Sequence, residues 1–405
     1  MIYNDIYEIG ISFYGKDVDL TPVNYSFMIS DSIYSIFPKA KLSINDNEGL
    51  LQQYLMSVEG TDIELSFGYK NNFIKNKYVV NTDSIIDSYA GKMGGYLNIE
   101  LDHYLKTHQR KEMKVYKDTI SRIIKKILDK YKFSKININD SGASDYYYQP
   151  FINDFDFIEN FLLPFSFSNN SKSSPFYCFI NNNNEFNYRN YMSMMNGKPL
   201  LELKQGTNDL SSISPTNFSK ITRFRTDTKF TYEKRHRKIT KLLENGVLEI
   251  KEDFINDYPD IPFGDLPLIL PDRENFTGSL QLFDDESTLG KKEINMGMKI
   301  QSMRNAFALE RLLLVLPLNV ELLAGKNVNI IINASNSDKS SDSYSGEYLI
   351  ERSFHKWEGQ SNLAETTIIV SRKSMQKLDT NIYPVKSRLV KSWLKQMNIN
   401  YIKEK

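Results

Sequence analysis

Short runs in which apolar and polar residues alternate dominate the first hundred residues of the chain. Because successive side chains of a strand point to opposite faces of a sheet, this alternation predicts half-buried β-strands. The clearest runs are Ala40–Asn45, Asp62–Phe67 and Tyr96–Leu101. Turn residues at 47–49 and 60–61 separate them. Several short strands with turns between them predict a small antiparallel barrel or sandwich.

The spacing of apolar residues becomes helical in the middle of the chain. Between Lys117 and Tyr131 they recur every three or four positions, with lysines on the opposite face, which predicts an amphipathic helix. A second, shorter helix is predicted from Asp154, as its N-cap, to a stop at Pro164. We expect a β-hairpin over residues 176–189.

The second half of the chain begins with a stretch that the pattern describes less well. Residues 206–290 contain five prolines and a charge-dense region around Arg235, which predicts extended connections with a few strands. Strand patterns return in Val328–Ile332, Tyr348–Arg352 and Thr366–Val370. They predict a second β-rich region.

Two polar segments of the second half have distinct patterns. Residues 335–345 are rich in Ser, Asp and Asn, which predicts a mobile loop tip. Near the end of the chain, Leu389, Trp393 and Met397 share one face of a predicted basic helix. Because so short a helix is marginal alone, we predict that it docks on a neighbouring protein or packs on its own chain.

Composition limits the classes of protein to consider. The 405 residues fit two to four domains. With 51 basic and 50 acidic residues, the chain has almost no net charge, so no overall electrostatic field attracts it to nucleic acid or an anionic membrane. The single cysteine, Cys178, lies between aromatic residues and is predicted to be a buried apolar residue, so a disulfide framework and a Cys-based zinc site are excluded.

Signals for export or membrane insertion are missing from the sequence. The first residues lack the basic and apolar regions of a signal peptide. The longest apolar stretch, 312–323, contains Pro317, Asn319 and Glu321 and is too short to span a bilayer. We therefore expect a chain that stays in a cytoplasm, away from membranes.

Cofactor and metal motifs are missing too. The sequence contains neither of the two glycine-rich phosphate-binding motifs, GxGxxG and GxxxxGK(S/T). It also has no Gly-x-Ser-x-Gly motif, which would position a nucleophilic serine. The nearest histidines, His103 and His108, are five positions apart, which does not fit the spacing of four that a helical zinc site requires. We predict no cofactor and no bound metal.

Three neighbouring acids, Asp154, Asp156 and Glu159, are the only candidates for catalysis that we single out. Two carboxylates can hydrolyse a glycoside. Acids in the first turn of a helix also complement its partial positive charge. We favour this structural role and predict no catalytic residue.

A basic strip with interspersed aromatic residues lies between residues 220 and 241. Its candidate binding residues are Arg223, Arg225, Arg235, Arg237 and Lys238. Such a strip can bind single-stranded nucleic acid through phosphate contacts and base stacking. We favour a solvated strand face or a protein interface.

Three segments, taken in order, resemble proteins of one family. They are residues 37–68, with Phe37-Pro38-Lys39 and Phe67-Gly68; residues 147–190, with Asp154-Phe155-Asp156-Phe157-Ile158 and Phe186-Asn187-Tyr188-Arg189-Asn190; and residues 322–372, with Leu322-Leu323-Ala324-Gly325 and Tyr344-Ser345-Gly346-Glu347-Tyr348. Their order and spacing, more than any single motif, resemble the central hub proteins of phage contractile-tail baseplates. The third segment also resembles the hub half of type VI secretion spike proteins.

The resemblance implies a structural, non-enzymatic protein. It implies a ring-shaped homotrimer whose six barrels join a sixfold tail tube to a threefold central spike around a channel. The implied partners are the tail tube protein, the spike, other baseplate proteins and the tape measure protein. Because the chain ends soon after its last matching segment, we expect the spike to be a separate polypeptide.

The same resemblance implies a location and leaves two alternatives. The protein would lie in the tail baseplate of the virion, and in the host cytoplasm during assembly. The alternatives are a tail-associated enzyme that degrades polysaccharide or peptidoglycan, and a single-strand nucleic-acid-binding protein.

The predicted fold is α+β and mainly β, with two small tube-type antiparallel barrels and an inserted helix-and-hairpin domain. The predicted division is residues 1–105 for the first barrel, 106–205 for the helix-and-hairpin domain, 206–300 for an extended connection that partly completes the second barrel, 301–376 for the second barrel and 377–405 for a basic tail.

Overall fold

Strands make up most of the regular structure, as the sequence predicts. The computed structural model describes residues 7–13, 16–17, 25–45, 62–69, 72–81, 96–107, 110–142, 144–166, 175–205, 220–226, 236–244, 247–255, 281–283, 311–332, 344–359, 361 and 363–371. In these ranges no helix is long and apolar enough to cross a membrane.

The first part of the chain forms seven antiparallel strands. They are β1 (Tyr7–Phe13), β2 (Lys16–Asp17), β3 (Tyr25–Ser32), β4 (Lys39–Asn45), β5 (Asp62–Tyr69), β6 (Asn72–Val80) and β7 (Tyr96–His103). Their order in the sheet is β3-β4-β7-β6-β5-β1-β2. Residues that alternate along β4 and β5, such as Leu42 and Leu65, are fully buried. The alternation predicted from the sequence therefore places one face of this sheet against an apolar core.

The middle of the chain contains helices and two small sheets. Its elements are α1 (Tyr104–Thr107), β8 (Lys111–Asp118), α2 (Ile120–Leu128), β9 (Lys135–Ile138), β10 (Asp145–Asn153), α3 (Asp154–Phe157), β11 (Phe176–Ile180), β12 (Glu185–Asn190) and α4 (Tyr191–Met195). The helix α3 continues through a π-helical turn, Ile158–Leu162, into a 3-10 turn, Leu163–Phe165. Strands β8 and β10 form a two-stranded antiparallel ribbon, and β9, β12 and β11 form a three-stranded sheet. The predicted hairpin is the pair β11 and β12.

Two helix starts differ from the prediction. The amphipathic helix begins at Ile120 rather than Lys117, because residues 111–118 pair as β8. Asp154 is not an N-cap. Asn153 caps α3, since its Oδ1 accepts the backbone N–H of Asp156 at 2.7 Å, which satisfies a donor of the first turn.

The second half supplies the remaining strands. They are β13 (Glu202–Gln205), β14 (Lys220–Ile221), β15 (Arg223–Thr226), β16 (His236–Glu244), β17 (Val247–Ile255), β18 (Gln281–Phe283), β19 (Arg311–Pro317), β20 (Asn327–Ile331), β21 (Gly346–Glu358) and β22 (Leu363–Ser371). Strands β17, β16 and β18 form a separate three-stranded sheet.

Seven strands of the second half are linked by six pairings into a circuit. Strand β13 pairs with β14 and β20, β20 with β21, β21 with β22, β22 with β19, and β19 with β15. Thr222, between β14 and β15, donates its backbone N–H to the carbonyl of Val315 at 2.8 Å. The circuit encloses an apolar core that includes Leu314, Ile330 and Ile350.

The long strand β21 belongs to both halves of the chain. Its first residues pair with β20, and its last seven pair with β3. The register shifts between Ile350 and Arg352, which places a bulge at Glu351 where the strand passes from one half to the other. The two halves thus share one 14-stranded sheet.

Candidate interaction surfaces

Asp31 joins three parts of the chain. It lies on β3, and its carboxylate accepts the backbone N–H of Asn182 at 2.9 Å and that of Ala324 at 3.1 Å. Asn182 belongs to the turn between β11 and β12, and Ala324 precedes β20. We call these three residues the Asp31 junction. It fixes the first sheet, the hairpin and the second half to one another.

The Asp31 junction is buried. Burial raises the pKa of Asp31 to about 7, while the two backbone hydrogen bonds and the charge of Lys326 act in the opposite direction. Lys326 also donates to Glu185 at 3.1 Å, which links the second half to β12. The junction therefore holds the carboxyl group of Asp31 in the interior of the protein, away from water.

A second polar contact lies where β21 changes partners. Arg311 on β19 donates from Nε to Glu351 at 2.8 Å and from Nη2 to the hydroxyl of Tyr34 at 3.0 Å. Glu351 is buried, Arg311 is half-buried and the ring of Tyr34 is partly exposed. The guanidinium carbon of Arg352 lies 5.5 Å from the centroid of the Tyr34 ring. The exposed part of this cluster is cationic and aromatic.

The candidate acid Asp154 is held in a buried network. It accepts from Lys130 Nζ at 2.9 Å, from the Tyr131 hydroxyl at 2.9 Å and from Gln149 Nε2 at 3.1 Å. Its side chain is 3 % exposed. These three donors contact both carboxylate oxygens and hold the side chain in the interior, a role different from the predicted cap.

The other two acids are in different surroundings. Asp156 accepts from the side-chain Nδ2 of Asn153 at 2.6 Å, which holds the capping side chain of Asn153 in place. Burial, with a smaller effect of Asp156, raises the pKa of Glu159. Within the described ranges, no group of three His, Cys, Asp or Glu side chains is arranged to hold a metal ion.

The ribbon of β8 and β10 exposes apolar side chains. Met113 (62 % exposed), Val115 (67 %), Tyr146 (64 %) and Tyr148 (50 %) share one face by their register, and Phe151 (62 %) lies at the bulge next to them. We call this set the ribbon outer face. Val115 lies opposite Tyr148 in the register. The opposite face, with Tyr116 and Gln149, packs inward.

A bulge in β10 turns Phe151 outward. The register shifts between Pro150 and Ile152, and Phe151 has a φ of 50°, which costs a bulky residue about 1 to 3 kcal/mol. Gln149 Nε2 donates to the carbonyl of Ile152 at 2.9 Å across the bulge. The structure thus holds an aromatic ring in solvent with a strained backbone.

The structure divides the predicted basic strip. Arg223 and Arg225 lie on β15, in the large sheet, and both are exposed. Arg223 Nη2 lies 3.3 Å from Glu365 on β22. Arg235 falls outside the described residues.

The remaining residues of the strip are in another sheet. Arg237 and Lys238 lie on β16, opposite Phe254 and Asp253 of β17. The four residues of the strip that the structure describes therefore lie on two strands of different sheets.

Two other predictions concern residues that the structure does not describe. The docking residues Leu389, Trp393 and Met397 and most of the predicted loop, residues 335–343, lie outside the described residues. Their roles stay predictions.

Sequence reasoning missed the ribbon outer face and the Asp31 junction. Met113 and Val115 alternate with Glu112 and Lys114, and this short run with a period of two is the available signal for a strand. The junction had no such signal, because its donors are backbone groups.

The comparisons with known proteins concern the fold. No family model and no curated protein matches the sequence. Among solved structures, the 43 kDa tail protein of prophage MuSo2 from Shewanella oneidensis matches with a TM-score of 0.52 and 11% identity, over 91% of this chain and 98% of that chain. A tail protein from Neisseria meningitidis MC58 matches with a TM-score of 0.50 and 9% identity, over 90% of this chain and 96% of that chain. The chain therefore has the fold of phage tail proteins, and the resemblance predicted from its sequence is confirmed at that level.

Proposed function

We propose that this chain is a structural protein of a phage-type tail and forms the central hub of its baseplate. The likeness over nearly the whole length of two phage tail proteins supports the tail assignment. The observation that carries the hub assignment is the strand β21, which joins two curled sheet regions with separate apolar cores in one chain. Two such regions per chain are what the hub architecture requires.

The proposed assembly is a homotrimer. Three chains with two barrels each present six similar units to a sixfold tail tube, while the trimer as a whole matches a threefold spike. Within the described ranges, β1 pairs with β5 along seven residues on one side but with β2 only at Ser12 and Phe13 on the other. Such an edge offers backbone groups to another strand, which supports a contact between subunits.

The proposal keeps the predicted domain division. Residues 1–105 and 301–376 would form most of the two barrels around a central channel, with 206–300 partly completing the second barrel. The middle domain would lie outside them, except for β13 at its end, which pairs with β20 of the second barrel. The proposed partners are the tail tube protein, a central spike protein, other baseplate proteins and the tape measure protein. The protein would act in the virion tail, after assembly in the host cytoplasm.

Native mass spectrometry of the purified chain tests the trimer. We expect a species of three chains, with subunit contacts that bury more than about 2,000 Å² in total, as in obligate assemblies. Negative-stain images should show a ring with a central hole. A chain that stays monomeric, alone and when mixed with its tube and spike proteins, contradicts the proposal.

A further inference from the structure

The ribbon outer face is large enough to be the centre of a protein interface. Aromatic side chains present about 150 to 250 Å² each, so its five side chains expose roughly 500 Å² of apolar surface. The largest apolar patch of a monomer is about 300 to 600 Å² and is often functional, and a standard interface buries about 800 Å² per partner. The strained backbone at Phe151 holds one of these rings in solvent.

Two lysines flank the apolar residues of this face. Residues 110–156, which contain both strands of the ribbon, carry ten basic and seven acidic side chains. Two of the acids are already engaged, since Glu112 contacts Lys130 and Asp118 contacts Lys126. Lys111 and Lys117 are exposed on the same face of β8 as Val115, and Lys117 Nζ lies 4.7 Å from the centroid of the Tyr146 ring. Charge complementarity at these two lysines therefore favours an occupant with negative charge.

Charge and shape exclude the simplest occupants. The same face of a second copy would place lysines against lysines, which is unfavourable. The C-terminal segment of this chain meets the same objection, because Lys386, Arg388, Lys391 and Lys395 surround its apolar positions. Single-stranded nucleic acid stacks its bases on aromatic rings, whereas aliphatic side chains occupy the β8 half of this face.

We propose that the ribbon outer face binds an acidic, amphipathic segment of another protein. Apolar side chains of that segment would cover Met113, Val115 and Tyr148, and its carboxylates would meet Lys111 and Lys117. In a baseplate, such a partner would be a neighbouring tail protein. The inference does not depend on the trimer, since it concerns a surface of one chain.

Fluorescence anisotropy on the full chain tests this surface with three labelled probes. The probes are a peptide of alternating Glu and Leu, a peptide of alternating Lys and Leu of the same length, and an oligo-dT strand. We expect the Glu-Leu peptide to bind and the other two to bind at least about tenfold more weakly. Val115→Asp should weaken Glu-Leu binding at least about tenfold, because it places a like charge in the apolar centre. The matched control is Leu363→Ser, at an exposed apolar position on β22, and it should leave binding within about twofold.

A second variant keeps the test valid if Val115→Asp fails to fold. Lys111→Glu with Lys117→Glu leaves the apolar residues in place and should also weaken Glu-Leu binding about tenfold.

The proposal is overturned if the two peptides bind equally, if neither binds, or if Leu363→Ser has the same effect as Val115→Asp. Tighter oligo-dT binding that Val115→Asp abolishes would assign the face to nucleic acid. A loss of oligomeric mass on Val115→Asp would assign it to a contact between copies. A wild-type chain that is monomeric but binds the Glu-Leu peptide contradicts the trimer and not this surface.

Discussion

Asp31 and Asn182 are 151 residues apart in the sequence, yet the carboxylate of Asp31 accepts the backbone N–H of Asn182 at 2.9 Å. The second oxygen accepts the N–H of Ala324, 293 residues away. One side chain of β3 thus holds the turn of a hairpin and the segment before β20. The stability of the junction should therefore depend on this carboxyl group.

Replacing Asp31 with Ala should destabilise the whole chain. The change leaves two buried backbone donors without an acceptor, at about 1 to 3 kcal/mol each, so we expect a loss of about 2 to 6 kcal/mol. Urea unfolding followed by circular dichroism measures it. The control is Asp62→Ala at an exposed position of β5, and equal effects of the two changes would show that the junction is not stabilising.

The stability contributed by Asp31 should fall as the pH rises. The pKa of this carboxyl is raised to about 7 by burial, whereas in the unfolded chain it titrates near 4. Between about pH 4 and 7 the folded state holds a proton that the unfolded state releases, so the contribution is complete below pH 4 and is lost on the way to pH 7. Asp31→Asn removes this titration. As the pH rises over this interval, we expect the unfolding free energy of the wild type to fall relative to that of the variant. Parallel pH profiles of the two proteins would contradict the assignment.

His355 should have the opposite effect on stability. It is buried between Ser353 and Thr366, whose hydroxyls lie 2.9 Å from Nε2 and 3.0 Å from Nδ1. Burial lowers its pKa to about 3. The imidazole of the unfolded chain is therefore protonated near pH 6.5, whereas in the folded state it stays neutral down to about pH 3. Because the unfolded state binds the extra proton, stability is lost as the pH falls from about 6.5 towards 3.

Acid unfolding of a His355→Gln variant measures this effect. The variant should lose less stability than the wild type between about pH 6.5 and 4, even if it is less stable at neutral pH. His103, whose pKa burial lowers to about 4, should add to the effect in a double variant. An unchanged acid midpoint in both variants would show that neither histidine titrates as proposed.

Arg311 should stabilise the fold because it pairs with Glu351, whose carboxylate is buried. Arg311→Met leaves a buried carboxylate at the bulge of β21 without its cation, which typically costs about 3 to 5 kcal/mol. Adding Glu351→Gln removes the stranded charge and should recover part of the loss. Urea unfolding of the two single variants and the double variant measures the coupling. Additive effects would mean that the ion pair contributes nothing beyond its separate side chains.

Local patterns were sufficient where one face of an element is apolar. The helix Ile120–Leu128 was predicted because its buried residues recur at helical spacing. The prediction starts this helix at Lys117, whereas residues up to Asp118 pair as β8 and the helix begins at Ile120. The N-cap of α3 was assigned to Asp154 instead of Asn153 because both residue types cap helices.

Contacts between distant residues could not be predicted from local patterns. The Asp31 junction uses backbone donors, which every residue except proline has. The sequence predicts extended connections with a few strands over 206–290 but does not single out the β16–β17 pair, although Asn245-Gly246 between the two strands is typical of a two-residue hairpin loop. The ribbon outer face could not be predicted, because the sequence does not show which face of β8 packs inward.

Gly325 should not tolerate alanine. Its φ is 82°, where an L residue with a Cβ is strained by about 1 to 2 kcal/mol, and a Cβ there would overlap the ring of Phe179, which is fully buried. Overpacking of this kind costs about 1 to 3 kcal/mol. We therefore expect Gly325→Ala to lose about 2 to 5 kcal/mol in urea unfolding.

Two further variants separate the two causes at Gly325. Asparagine adopts positive φ more readily than alanine, so Gly325→Asn tests whether the backbone conformation contributes. Phe179→Leu in the Gly325→Ala background removes the ring that the Cβ meets, so the double variant should lose less than the sum of the single losses. Additive losses would mean that the ring does not limit the site. If Gly325→Ala is as stable as the wild type, the turn before β20 does not have the conformation described above.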